Sequence, residues 1–183
     1  MTEKYDSTLD TINHICRVRE LLYLVQAKLE RRGFAHDQSK LASPEKEVFD
    51  AITPKLKALT YGSDEYKASL TEMGVALKHH YEHNSHHPEH FKKAVCIICF
   101  HEMRGDIPNR CPQCTNGTFT TEPDVSQMTI LDVIEMLCDW KAATERHADG
   151  SISKSLVINA KRFGITPQLA SILENTAKEM GWL

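Results

Sequence analysis

VCIICFHEMRGDIPNRCPQCTNGTFTTE occupies residues 95–122. Its reading decides the fold, because it is the one stretch of this 183-residue chain that does not look helical. Short apolar pieces are broken by Gly and Pro, and four of the chain's six cysteines fall within it. Cys96-x2-Cys99 and Cys111-x2-Cys114 form two CxxC pairs with eleven residues between them. Each pair suits a tight turn whose backbone amides point at the sulfurs. Four thiolates then close a tetrahedron around one zinc ion, with no position left open for a substrate. His101 is an alternative ligand for that set. The segment is therefore expected to be a small unit stapled by zinc and inserted between two helices.

On both sides of it the apolar residues recur at helical spacing. Residues 7–32 carry Leu9, Ile12, Ile15 or Cys16, Leu22, Val25 and Leu29 on one period, and Gly33 is the expected stop. Ser43-Pro44 is the expected cap and first turn of a short helix that Thr53-Pro54 restarts. Ser63 caps a helix running to about His83, and Thr129 with Asp132 has capping-box spacing for a helix closed by Gly150. Ser153 and Thr166-Pro167 open two more, ending near Gly164 and Gly181. Cys16 and Cys138 are expected in the helical core.

Composition narrows the function classes. A formal charge of −3 supplies no global basic field for nucleic-acid binding, and no apolar run approaches a membrane span. The polar start, MTEKYDSTLDTIN, lacks the apolar core of a signal peptide. A cytoplasmic protein is expected, where cysteines stay reduced and clustered ones bind metal. The cysteine unit is only slightly basic, which favours a structural role over a phosphate footprint. Binding of a nucleic acid or a protein by the ribbon stays open.

A second cluster is made of histidine. HHYEHNSHHPEH, residues 79–90, holds six of the chain's ten histidines, and neutral imidazole is the commonest transition-metal ligand. His80 and His87 are the expected ligands, one from the helix end and one from the following turn, with His79 and His86 as alternatives. His83 and His90 are expected in an outer shell or in solvent. Upstream, His14 lies in the first helix and HDQSK at 36–40 places His36, Asp37 and Lys40 in one turn. Downstream, Asp139 interrupts the apolar stretch of EMLCDWKAA, where a carboxylate is costly without a partner or a metal. Glu82 reads either as a general base or as a surface acid. Arg146 lies two turns after Asp139 on the same face and is either a phosphate contact or a solvated helix end.

The order His, His-Asp, histidine cluster, Asp resembles the HD-domain superfamily of metal-dependent phosphohydrolases. RCPQC followed by Gly117 likewise resembles the second knuckle of zinc ribbons and rubredoxin-like units. The first resemblance implies an all-α fold, an HD-like helical bundle formed by 1–94 and 123–183, with the inserted four-cysteine zinc ribbon at 95–122. It implies His14, His36, Asp37 and Asp139 as ligands of one divalent ion, with His80 and His87 holding a second. Lys40 falls where the His-Asp-x-x-Lys pattern often has a phosphate-facing lysine. HHYEHNSHHP loosely resembles the His-rich stretch of the cyclic-dinucleotide-cleaving subgroup but lacks its glycines. More closely, HD-x-SKL, PEKE-x-F, TPKLK-x-LTYGS-x-EYK, HHPEHF and EMLCDWKAATERHADG resemble a phage and bacterial family with no established function. That similarity spans residues 12–176 apart from the cysteine unit.

The function these resemblances imply is hydrolysis of a nucleotide or related phosphate ester by a metal-activated water. The ions would be Mn, Co, Ni, Fe or Zn, one or two per chain. Lys40 and Arg146 would offset phosphate charge, and the compartment would be the host cytoplasm for a phage-encoded chain. An HD-type di-iron oxygenase is the alternative enzyme, and a non-catalytic protein that binds a partner through its ribbon is the alternative of another class.

Overall fold

The computed structural model describes residues 5–59, 63–146 and 150–183. Residues 60–62, within the LTYGS motif, and 147–149, before the expected helix stop at Gly150, lie outside the described residues. The chain divides into two compact units, Met1–His36 and Asp37–Leu183.

The first unit is one helix, α1 (Thr8–Ala35), with His36 as its C-cap residue. It runs through Gly33, the expected stop, because a helical glycine costs only about 1 kcal/mol and the residues after it continue the pattern. None of its residues is buried.

The second unit begins with a 3-10 turn at Gln38–Leu41 and continues into α2 (Lys46–Lys57), α3 (Asp64–Glu72) and α4 (Gly74–His83). Helix α2 starts at Lys46 rather than at Ser43-Pro44, and Thr53-Pro54 lies inside it instead of restarting it. The Ser63 hydroxyl accepts from the Tyr66 amide at 3.1 Å, as its capping position predicts. The expected single helix from Ser63 to His83 is broken at Gly74, whose φ of +47° is a left-handed conformation that glycine adopts at little cost.

Residues 92–123 form a three-stranded antiparallel sheet, β1 (Lys92–Cys96), β2 (Glu102–Arg104) and β3 (Phe119–Pro123), in the order β2-β1-β3. The all-α class is thereby corrected: the chain is mostly helical with a β element. The sheet extends beyond the cysteine segment, since Lys92 pairs with Pro123 and Lys93 with Glu122. At its base the Asp124 amide donates to the Phe91 carbonyl at 2.9 Å. The Arg104 guanidinium donates to Asp124 at 2.5 Å. The first bond closes the ends of the insertion against each other, and the second ties β2 to that base.

Helices α5 (Ile130–Thr144), α6 (Ile152–Arg162) and α7 (Pro167–Glu179) build the apolar core. Val133, Met136, Leu137 and Trp140 of α5 meet Ile152 and Leu156 of α6 and Leu173 and Ala177 of α7, with Phe163 and Ile165 between them. Ser151, not Ser153, caps α6. Thr166 caps α7 with Pro167 in its first turn. Cys138, expected in the core, is exposed, and Cys16 is half-buried.

The Thr129–Asp132 capping box is present, and its acid also reaches beyond the helix. Asp132 Oδ2 accepts from the Thr129 amide at 2.8 Å and from its hydroxyl at 2.6 Å. Asp132 Oδ1 accepts from the Ser85 hydroxyl at 2.6 Å. One buried carboxylate therefore starts α5 and ties the histidine turn to it. Asp132→Ala removes a cap and a buried hydrogen bond together, and should cost about 2 to 3 kcal/mol in urea unfolding.

Candidate metal centre

Asp37 is the centre of the site. It adopts φ +57°, ψ 14° at the head of the 3-10 turn, a left-handed conformation that Asp tolerates better than most residues. Lys40, one turn on, donates to Asp37 Oδ2 at 2.5 Å and lies 4.9 Å from the Phe49 ring centroid. The other carboxylate oxygen, Oδ1, faces imidazoles: His80 Nε2 is 3.4 Å away and His86 Nε2 is 3.6 Å away.

Both imidazoles are oriented from behind by an acid. His80 Nδ1 donates to Glu45 Oε2 at 2.9 Å, and His86 Nδ1 lies 3.0 Å from Glu135 Oε1. A proton on Nδ1 leaves the lone pair on Nε2, aimed at Asp37. This carboxylate–histidine pairing is how metal-ligating histidines are held in the right tautomer. His87 Nε2 comes within 2.8 Å of His80 Nε2. Asp37, His80 and His87 each offer a ligand atom, all within 4.8 Å of one another, and His86 and Asp139 lie within the same distance of each other.

Electrostatics keep two of these rings neutral. Burial, then the nearby Lys40 charge, holds His80 below the ordinary histidine range. Burial and the flanking His86 and His80 rings bring His87 down to about 2. Neutral imidazoles beside an aspartate form a donor set that suits a borderline divalent transition metal. Burial raises the Glu45 carboxyl, but hydrogen bonds from His79, Ser39 and His80 more than offset it and hold the group ionised.

The remaining histidines have other roles. His79 donates to Glu45 Oε1 at 2.7 Å and so positions the acid behind His80. His83 and His90 bond the carbonyls of His79 and Tyr81 through Nδ1. Asn84, which ends α4, donates to the Ser39 hydroxyl and to the His80 carbonyl, each at 2.8 Å. In the first unit, His14 is exposed on α1 and His36 is half-buried at its C-cap.

Asp37, Lys40, His80, His87, Asp139 and Arg146 line one cavity of about 670 Å³. Glu82 does not line it; this exposed acid lies 3.8 Å from Lys78 on the surface of α4. Sequence reasoning missed Glu45 and Glu135. Glu45 stands in the PEKE motif, and Glu135 precedes Asp139 by one helical turn, a spacing that puts both acids on one face.

The cysteine cluster is a separate centre. Cys96 Sγ and Cys114 Sγ are 3.4 Å apart, and Cys99 Sγ and Cys111 Sγ are 3.5 Å apart. The two CxxC turns are copies of each other. In each, the first cysteine's carbonyl accepts from the residue four along, Phe100 at 3.0 Å and Thr115 at 2.8 Å. Its amide donates to the carbonyl of the residue five along, His101 at 3.0 Å and Asn116 at 2.7 Å. Phe100 and Thr115 both adopt left-handed backbone, φ 58° and 60°. A backbone hydrogen bond from Cys99 draws the Cys96 thiol down to about 6. Cys99, despite a backbone hydrogen bond from His101, is pushed up to about 12 by burial and neighbouring sulfurs. The four sulfurs are close enough to be compatible with a zinc site, where bound metal would deprotonate all four. His101 lies outside the four-cysteine group.

The chain belongs to a family of unknown function (DUF5662), whose model matches residues 3–179. No curated protein and no solved structure matches it.

Two outcomes are expected. Replacing Cys111 and Cys114 by Ser should lower tightly bound zinc by one ion per chain in elemental analysis. Glu135→Gln should weaken metal binding at the histidine site roughly 10- to 100-fold in a chelator competition, with zinc in the cysteine cluster unchanged.

Proposed function

We propose that the protein is a metal-dependent phosphohydrolase acting on a nucleotide or related phosphate ester. One observation carries the reading: His80 and His86, each backed by an acid, turn their Nε2 atoms onto the same Asp37 oxygen at the wall of a cavity that Lys40 also lines. A structural histidine cluster has no need of two such acid-held tautomers converging on a carboxylate.

Asp37, His80, His86, His87 and Asp139 are the ligands that the second unit contributes in this reading. A divalent ion held there would supply Lewis acidity for phosphoryl transfer to water. The chain's own residues do the rest. Glu45 and Glu135 hold the imidazole tautomers, so that no ring proton points at the ligand position. Lys40 places a positive charge next to Asp37, where it can offset the charge of a phosphoryl group. Arg146, exposed at the cavity's edge on the turn after α5, is placed to meet a phosphate as it enters. The cysteine cluster takes no part in this chemistry; a zinc ion held there would staple the insertion that follows the histidine turn.

Hydrolysis of p-nitrophenyl phosphate and a nucleotide panel with manganese, cobalt or nickel tests the proposal. Asp37→Ala or Asp139→Ala should lower turnover at least roughly 100-fold in folded protein, because each removes a carboxylate ligand. Lys40→Ala should lower it less, because it alters charge alone. Near wild-type turnover in Asp139→Ala would overturn the assignment. Oxygen uptake by iron-loaded protein that hydrolyses nothing would replace it with an oxygenase.

A further inference from the structure

The cavity has a second polar end that the proposed reaction does not use. Helix α6 presents Asn159 and Arg162 to it, three residues apart and so on one face. The 3-10 turn Pro88–His90 adds Glu89, two residues after His87. Arg162 donates to Glu89 Oε1 at 2.6 Å, which fixes the carboxylate plane. The other oxygen, Oε2, is buried and has no partner at hydrogen-bond distance among the described residues, although the Tyr81 hydroxyl lies near the carboxyl group. An acceptor desolvated in this way is costly unless something in the cavity donates to it. Tyr81 and Trp140 line the same space, and the Trp140 ring lies parallel to Phe163 within 8°.

A ligand that fits is planar enough for aromatic walls and carries a hydrogen-bond donor for Glu89 Oε2; an amine N–H on a flat ring meets both demands. At about 670 Å³ the cavity is in the size range of small-molecule sites. We propose that this end holds the base of a nucleoside monophosphate that bears an exocyclic amine, with the amine N–H donated to Glu89 Oε2 and Arg162 acting as the residue that positions the carboxylate. The inference rests on the phosphohydrolase reading for the phosphate at the Asp37 end. It makes one short segment, residues 86–89, serve both ends: histidines for the ion and an acid for the base. A site built to hydrogen-bond a ligand group discriminates strongly against the analogue that lacks it, because the buried partner is then left unsatisfied.

Adenosine against inosine, and cytidine against uridine, differ at the exocyclic position by amine or carbonyl oxygen. Their binding to the full chain can be measured by ligand-observed NMR titration. Nucleosides carry no phosphate, so the result stands apart from hydrolysis. The amino member of each pair should bind about tenfold more tightly. Glu89→Gln turns an acceptor into an amide and should abolish or reverse that preference. Arg162→Gln changes a side chain that is 42% exposed and should reduce the preference by releasing the carboxylate. Circular dichroism establishes that each variant is folded. Equal binding of the paired nucleosides, no binding of any of them, or an undiminished preference in both folded variants would overturn the proposal. Hydrolysis of simple phosphate esters with no such preference would remove this inference alone. The preference without any hydrolysis would remove the phosphohydrolase reading alone.

Discussion

A fully buried carboxylate, Glu45, organises the second unit. Its two oxygens accept from His79 and His80 on α4, at 2.7 and 2.9 Å, from a position just ahead of α2. Burying such a group is tolerable only when every lone pair is used. The same bonds set the tautomer of His80, and with it the direction in which the ring can act as a ligand. If the acid were lost, His80 could place its proton on either nitrogen, and Asp37 would face an N–H as readily as a lone pair. The tie between the start of α2 and α4 and the chemistry of the site thus share one interaction.

The histidine turn is secured at both ends by the same kind of device. At its start Asn84 satisfies the His80 carbonyl, and Ser85 donates to Asp132, the capping acid of α5. At its end Glu89 is held by Arg162 of α6. Between these anchors His86 and His87 have little freedom, which is what a preorganised ligand set needs. The sheet begins two residues after the turn, at Lys92, and closes on Asp124. A zinc ion in the cysteine cluster would therefore also stiffen the strand that leaves the histidine turn.

The sequence makes much of this legible. Both cysteine pairs, the capping residues Ser63, Thr129 and Thr166, and the histidine stretch were all visible in it, and the structure brings Asp37, His80 and His87 together. It hides the strand character of residues 92–96, because a single short strand of mixed polarity has no periodicity of its own until its partners are known. It also suggests a helix across Gly74 and a cap at Ser43, since isolated glycine and proline signals are outweighed or reinforced by packing.

The sequence by itself determined what neighbours in the chain decide: helix starts set by a side chain bonding an amide three residues on, and two CxxC turns written in a four-residue pattern. The tertiary structure alone decided which histidines face the cavity and which acids stand behind them. Those choices rest on pairs separated by 35, 47 and 73 residues, Glu45 with His80, Ser85 with Asp132 and Glu89 with Arg162. No local rule reads such pairs, because the cost of leaving a buried charge unpaired arises only when the fold excludes water from it.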